Sequence, residues 1–164
     1  GLVVSVGPIV AALTGMAAGR LVDRFGAGRA TIVGLGGIAA GSLALAALPS
    51  ALGVAGYVGP IVAVTAGYAL FQAANNTAIM ADIGKERRGL VSGMLNLSRN
   101  LGLVTGASAM GAVFALASGT AGAAAAHADA AAFGMRITFA VAAVLIAAAL
   151  ALAFRSRAAQ RGAR

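Results

Sequence analysis

The 164-residue chain contains no cysteine, which removes disulfides and thiol chemistry from consideration and leaves the redox compartment unread. Charge is scarce as well. Only 10% of residues are charged, against about 25% in an average soluble domain. With 60% hydrophobic residues, such a chain cannot cover its apolar surface with water-compatible groups, so its class is an integral membrane protein with the lipid bilayer as solvent. The acidic residues are four, Asp23, Asp82, Glu86 and Asp129, and all of them fall in loops or at the ends of apolar runs. His127 is the single histidine, and no further ligands stand near it and Asp129, so no metal site is expected. There is no intramembrane acid cluster and no Ser/His pair, which argues against an enzyme and leaves no catalytic residue to name. The formal net charge of +8 lies in short clusters without interleaved aromatics, which argues against nucleic acid as a partner.

What the chain does have is long apolar runs. They predict an all-α, polytopic helical membrane protein of about five transmembrane spans, at about residues 2–18, 30–48, 57–81, 90–117 and 134–154, followed by a basic tail over 155–164. The first run is short for a crossing, and the chain opens on Gly1 without a Met or a basic leader. It therefore does not fit a signal peptide and is expected to be part of something longer. Glycines recur at i, i+4 in the first two runs, as Gly15 with Gly19 and Gly37 with Gly41, a pattern that serves either close helix packing or mere flexibility. The fourth run is glycine-rich, and Gly93, Gly102 and Gly106 are its candidate packing positions. Tyr57 is placed as an interfacial anchor, and the fifth run, poor in glycine, is expected to face lipid. Residues 118–133 read as an alanine- and glycine-rich link.

Polar residues inside these runs are the informative ones. In the third run Tyr68, Gln72, Asn75 and Asn76 share one helical face, which is too polar for lipid. They line a water-filled cavity or hold helices together by hydrogen bonds. In the fourth, Ser92, Asn96 and Arg99 form a polar seam, with Arg99 deep enough to face the bundle interior or to snorkel. The positive charges Arg20, Arg24 and Arg29, then Lys85, Arg87 and Arg88, then Arg155, Arg157, Arg161 and Arg164 all fall on one side of a five-span chain, and Arg136 lies near the other. The positive-inside rule makes that side cytoplasmic, with the C-terminus in the cytoplasm of a cell-membrane protein.

One stretch carries a motif. Gly19, Leu21, Asp23, Arg24, Gly26 and Arg29 form a charged turn between two uncharged apolar runs, and their spacing resembles the cytoplasmic loop motif of the major facilitator superfamily. The run Arg88-Gly89-Leu90-Val91-Ser92-Gly93, with Asn96, Arg99 and Gly102, resembles the fourth-to-fifth helix junction of that superfamily's drug:proton antiporter branch. The resemblance implies helices two to six of a six-helix C-terminal half, with the N-terminal half of the transporter as a missing partner. Ala27-Gly28 departs from the pattern, standing where the family often has a basic pair. The resemblance further implies alternating access, with Asp23 set against the start of the fourth span near Gly89 and Leu90, where a helix N-terminus carries about half a positive charge. Gln72, Asn75, Asn76, Asn96 and Arg99 become the substrate-cavity candidates for a small molecule. The expected activity is proton-coupled efflux of lipophilic drugs or metabolites, with no cofactor and with the coupling carboxylate outside this chain. A metabolite or sugar transporter of the same superfamily and a small oligomeric accessory protein stay open beside it.

Overall fold

The computed structural model describes residue 15 and residues 17–48, 53–120 and 127–162. Most of the first predicted span lies outside the described residues. Among the described residues the fold is all helix. Helix α1 covers residues 17–25, α2 Ala27–Ala47, α3 Gly53–Met80, α4 Arg88–Thr120 and α5 His127–Gly162, and a 3-10 turn, Lys85–Arg87, leads into α4. Among these, the four helices α2 to α5 are long and apolar enough to cross a membrane.

The second to fifth predicted runs fall on α2 to α5, whose ends differ from those expected. The largest shift is at α5, which begins at His127, so residues 127–133 of the expected link are helix instead. Alanine explains this: an Ala-rich stretch has the highest helix propensity and nothing here interrupts it. The basic tail is also helical, as α5 runs on to Gly162. At 1.5 Å per residue, the 36 residues of α5 and the 33 of α4 reach about 54 and 50 Å, well beyond a hydrocarbon core of about 30 Å. Neither helix therefore fits wholly within such a core. Several threonine hydroxyls in the spans are satisfied locally, as lipid favours. Thr31, Thr65 and Thr138 donate to the carbonyls of Ala27, Ile61 and Gly134, one turn back, at 2.8–2.9 Å.

The chain divides into two compact units, Gly1–Ala78 with Phe139–Arg164, and Ile79–Thr138. In the first, Ala18 and Val22 of α1, Ala30 of α2 and Leu70 and Ala74 of α3 form one buried cluster. The side chains there are mostly small, so the helix backbones come close. The closest approach is between α2 and α3. A Cβ placed on Gly34 would meet the Phe71 backbone nitrogen at 2.6 Å and the Gly67 carbonyl at 2.8 Å, and one on Gly67 would meet the Gly34 carbonyl at 2.7 Å. Gly41 is similarly close to the Pro60 carbonyl, at 2.8 Å, while Gly37 makes ordinary contact at 3.4 Å. Ala30, Gly34, Gly41 and Leu45 are all buried on this face of α2. Backbone-to-backbone packing of this kind replaces the hydrophobic drive that helices lack in lipid.

In the second unit, α4 meets α5 where Gly134 lies under Phe114 and Ser118, with no room for a β-carbon beside the Ser118 hydroxyl. Open space surrounds Gly93, Gly102 and Gly106, where a β-carbon would find no described atom within 4 Å, and the same holds for Gly15 and Gly19.

Candidate functional site: the glycine hinge and two polar helix faces

The charged motif is helical on both sides, and its turn is reduced to one residue. The amide of Gly26 donates to the Val22 carbonyl at 2.8 Å and closes α1, while its carbonyl accepts from the Ala30 amide at 3.1 Å and opens α2. This double role needs φ 81° and ψ 147°, close to a region that only glycine enters freely. The charged turn expected over residues 19–29 is therefore corrected to a single-residue hinge. Arg20, Asp23 and Arg24 ride on the last turn or so of α1 and Arg29 on the first turn of α2, all exposed. Arg24 lies over the ring of Phe25, 5.6 Å from its centroid, within reach of a cation–π attraction. Asp23 sits at the C-terminal end of α1, where the helix dipole disfavours a carboxylate by some tenths of a kcal/mol. Local helix energetics therefore do not account for it.

On α3 the polar residues form a face of their own. Tyr68, Gln72, Asn75 and Asn76 fall within an arc of about 100° at 3.6 residues per turn, whereas the buried Gly67, Leu70 and Ala74 lie roughly 130–170° from its centre. Burial against α1 and α2 thus leaves the amide face directed away from the packed side. Gln72, Asn75 and Asn76 are half-buried and Tyr68 is exposed.

Helix α4 has the same two-sided character. Leu90, Met94, Leu97, Leu101 and Val104, at i, i+4, i+7, i+11 and i+14, form an apolar stripe in which each is 59–69% exposed. Ser92, Asn96 and Arg99 occupy the opposite side. An apolar stripe of this width is suited to lipid, and on the seam Ser92 and Asn96 are exposed. Arg99 is half-buried and lies about 16 Å along the axis from the start of α4. Gly102 and Gly106 share the seam's side, whereas Gly93 is half a turn away from Gly102, so the three candidate packing glycines do not form one face.

The structure therefore brings the sequence-predicted site residues together in three sets: the hinge, the amides of α3, and the Asn96–Arg99 seam of α4. Sequence reasoning misses the tight glycines Gly34 and Gly67. Their signal is weak because i, i+4 spacing marks Gly37 and Gly41, whereas close approach is decided by the facing helix. All four acidic side chains are exposed, and Asp82 and Glu86 stand in the turn between α3 and α4.

These features define a polytopic helical membrane protein with a charged hinge between its first two helices and amide-bearing faces within its spans. Residues 1–107 match the family model of the Major Facilitator Superfamily, and the chain belongs to that family. An uncharacterized transporter, YebQ, of Escherichia coli (strain K12) is 35% identical over 108 residues, which are 66% of this chain and 24% of that protein. The chain thus spans about a quarter of that relative's length. No solved structure matches it.

Proposed function

We propose that this chain is part of a secondary active transporter that works by alternating access, and that it belongs to the C-terminal half of a longer polypeptide. The observation that carries the reading is the hinge: within the stretch that matches the family, a single positive-φ glycine joins two helices and gathers the charged residues of the motif around their junction. The side bearing the hinge and the α5 tail is cytoplasmic, in keeping with its arginines. Asp23 serves as the charged part of a cytoplasmic latch that holds one state and releases in the other. The amides of Gln72, Asn75 and Asn76 line the substrate path, and Asn96 and Arg99 are further candidates on α4. Gly102 and Gly106 leave α4 free to approach another helix on the seam's side.

The substrate class that fits apolar walls with a few amides is a lipophilic drug, dye or metabolite, exported against protons. None of the four carboxylates lies within the apolar part of a span, so the coupling acid belongs to the rest of the transporter. The test is uptake of a fluorescent lipophilic cation into inverted membrane vesicles containing the full polypeptide under an imposed pH gradient. Uptake that collapses with the gradient and falls at least tenfold in Asp23→Asn supports the reading. Uptake that ignores the gradient removes proton coupling, and unchanged transport in Asp23→Asn removes the latch.

A further inference from the structure

The first helical unit contains a groove that the transport reading does not use. Two adjoining cavities, of about 300 and 220 Å³, share Leu21, Val33 and Leu70, so they form one continuous trough along α1, α2 and α3. The deeper part is walled by Ala17, Ala63 and Gly67 with the shared residues, and the part next to the hinge by Phe25, Ala30 and Arg29. Among the described residues Arg29 is the one charged member of the walls, and it stands in the first turn of α2, at the end of that apolar helix. From Arg29 to Gly37 the trough follows α2 for about 12 Å. That is close to the depth of one leaflet, about half of a 30 Å hydrocarbon core.

Water gains nothing in such a trough, since the described wall residues below the arginine are apolar. The close approach of α2 to α3 forbids large side chains at Gly34 and Gly67, and the small residues beside them leave the hollow open at its side. Charge at the mouth is lopsided: Arg20, Arg24 and Arg29 face a single acid, Asp23, within the hinge.

We propose that this trough seats one acyl chain of an anionic phospholipid, with the lipid phosphate held by the Arg29 guanidinium. The fit is of an apolar slot of leaflet depth to a hydrocarbon chain, and of a cationic mouth to an anionic headgroup. The site is independent of what the transporter carries. A lipid seated there ties α1 to α2 and α3 beside the hinge, so the lipid composition of the membrane bears on the hinge's stiffness.

The experiment uses the full polypeptide in nanodiscs containing a trace of phosphatidylglycerol with a photoreactive diazirine in one acyl chain, or the matching phosphatidylcholine. Adducts are mapped by mass spectrometry. Adducts are expected on the segments carrying Leu21, Val33 or Leu70, about fivefold more with phosphatidylglycerol, the factor for one basic residue near an anionic surface. Arg29→Gln lowers them about fivefold, Arg29→Lys largely restores them, and Val33→Trp, which fills the trough with every arginine intact, removes them. Arg155→Gln leaves them unchanged. Equal labelling by the two lipids, labelling that survives both Arg29→Gln and Val33→Trp, or adducts confined to α4 and α5 would overturn the assignment.

Discussion

Replacing Gly34 by alanine tests the backbone packing that organises the first unit. The added Cβ would lie 2.6 Å from the Phe71 nitrogen and 2.8 Å from the Gly67 carbonyl, and both are main-chain atoms of α3 that no rotamer change can move. To bring the shorter distance to the 3.4 Å of ordinary contact, α3 must withdraw by roughly 0.8 Å, which loosens the contacts of Gly37, Gly41 and Gly67 together. Overpacking of this kind costs about 1–3 kcal/mol. Alanine returns up to about 1 kcal/mol through its better helix propensity, so the net loss is about 1–2 kcal/mol. Gly36, two residues away on the same helix, supplies the control, because nothing lies within 4 Å of its Cβ position and Gly36→Ala gains propensity alone. Thermal unfolding of the two variants in one detergent, followed by intrinsic fluorescence or scattering, separates these cases. Gly34→Ala lowers the apparent Tm by about 2–8 °C and Gly36→Ala leaves it level or raises it. Equal shifts in the two variants, or a stabilised Gly34→Ala, would refute the close approach.

Two other substitutions follow from the same geometry. Gly26→Ala forces a β-carbon onto a backbone at φ 81°, so it costs about 1–3 kcal/mol and lowers the apparent Tm, whereas Gly28→Ala, in regular helix two residues later, does not. Gly134→Ala collides with the Ser118 hydroxyl, which is buried without a hydrogen-bond partner among the described residues, and with the Phe114 ring. Pairing it with Ser118→Ala recovers part of the lost stability, and a strictly additive double variant would contradict the contact.

Much of this architecture is legible in the sequence because lipid imposes it. A run of about 20 apolar residues has to satisfy its own backbone, so α2, α3, α4 and the core of α5 follow from hydropathy alone. The ends follow less well. Residues 127–133 contain no breaker and continue the helix, although their weak hydropathy marks them as a link. The hinge shows the limit from the other side: the charges of residues 20–29 suggest a turn of many residues, while the backbone needs only Gly26, whose positive φ no composition reveals. The polar faces of α3 and α4 are readable from helical periodicity, since Gln72 and Asn75, or Asn96 and Arg99, stand one turn apart. The Gly34–Gly67 contact is not, because it depends on the register between two helices rather than on spacing within either. The trough beside Arg29 is hidden for the same reason, being built from three helices at once.

The most direct measurement is the reaction of Asn75→Cys with a water-soluble, membrane-impermeant thiol reagent, made in a full-length background without other cysteines and compared with Leu43→Cys. Leu43 is 57% exposed on the outer side of α2 and serves as the lipid-facing reference, and this chain contributes no thiol of its own. The account predicts that Asn75→Cys reacts readily while Leu43→Cys does not, and that the rate at residue 75 differs between the two sides of the membrane and changes in Asp23→Asn. Protection of residue 75 to the level of residue 43 would mean that the amide face of α3 is helix-packing surface, and it would contradict the assignment of a substrate path through this chain.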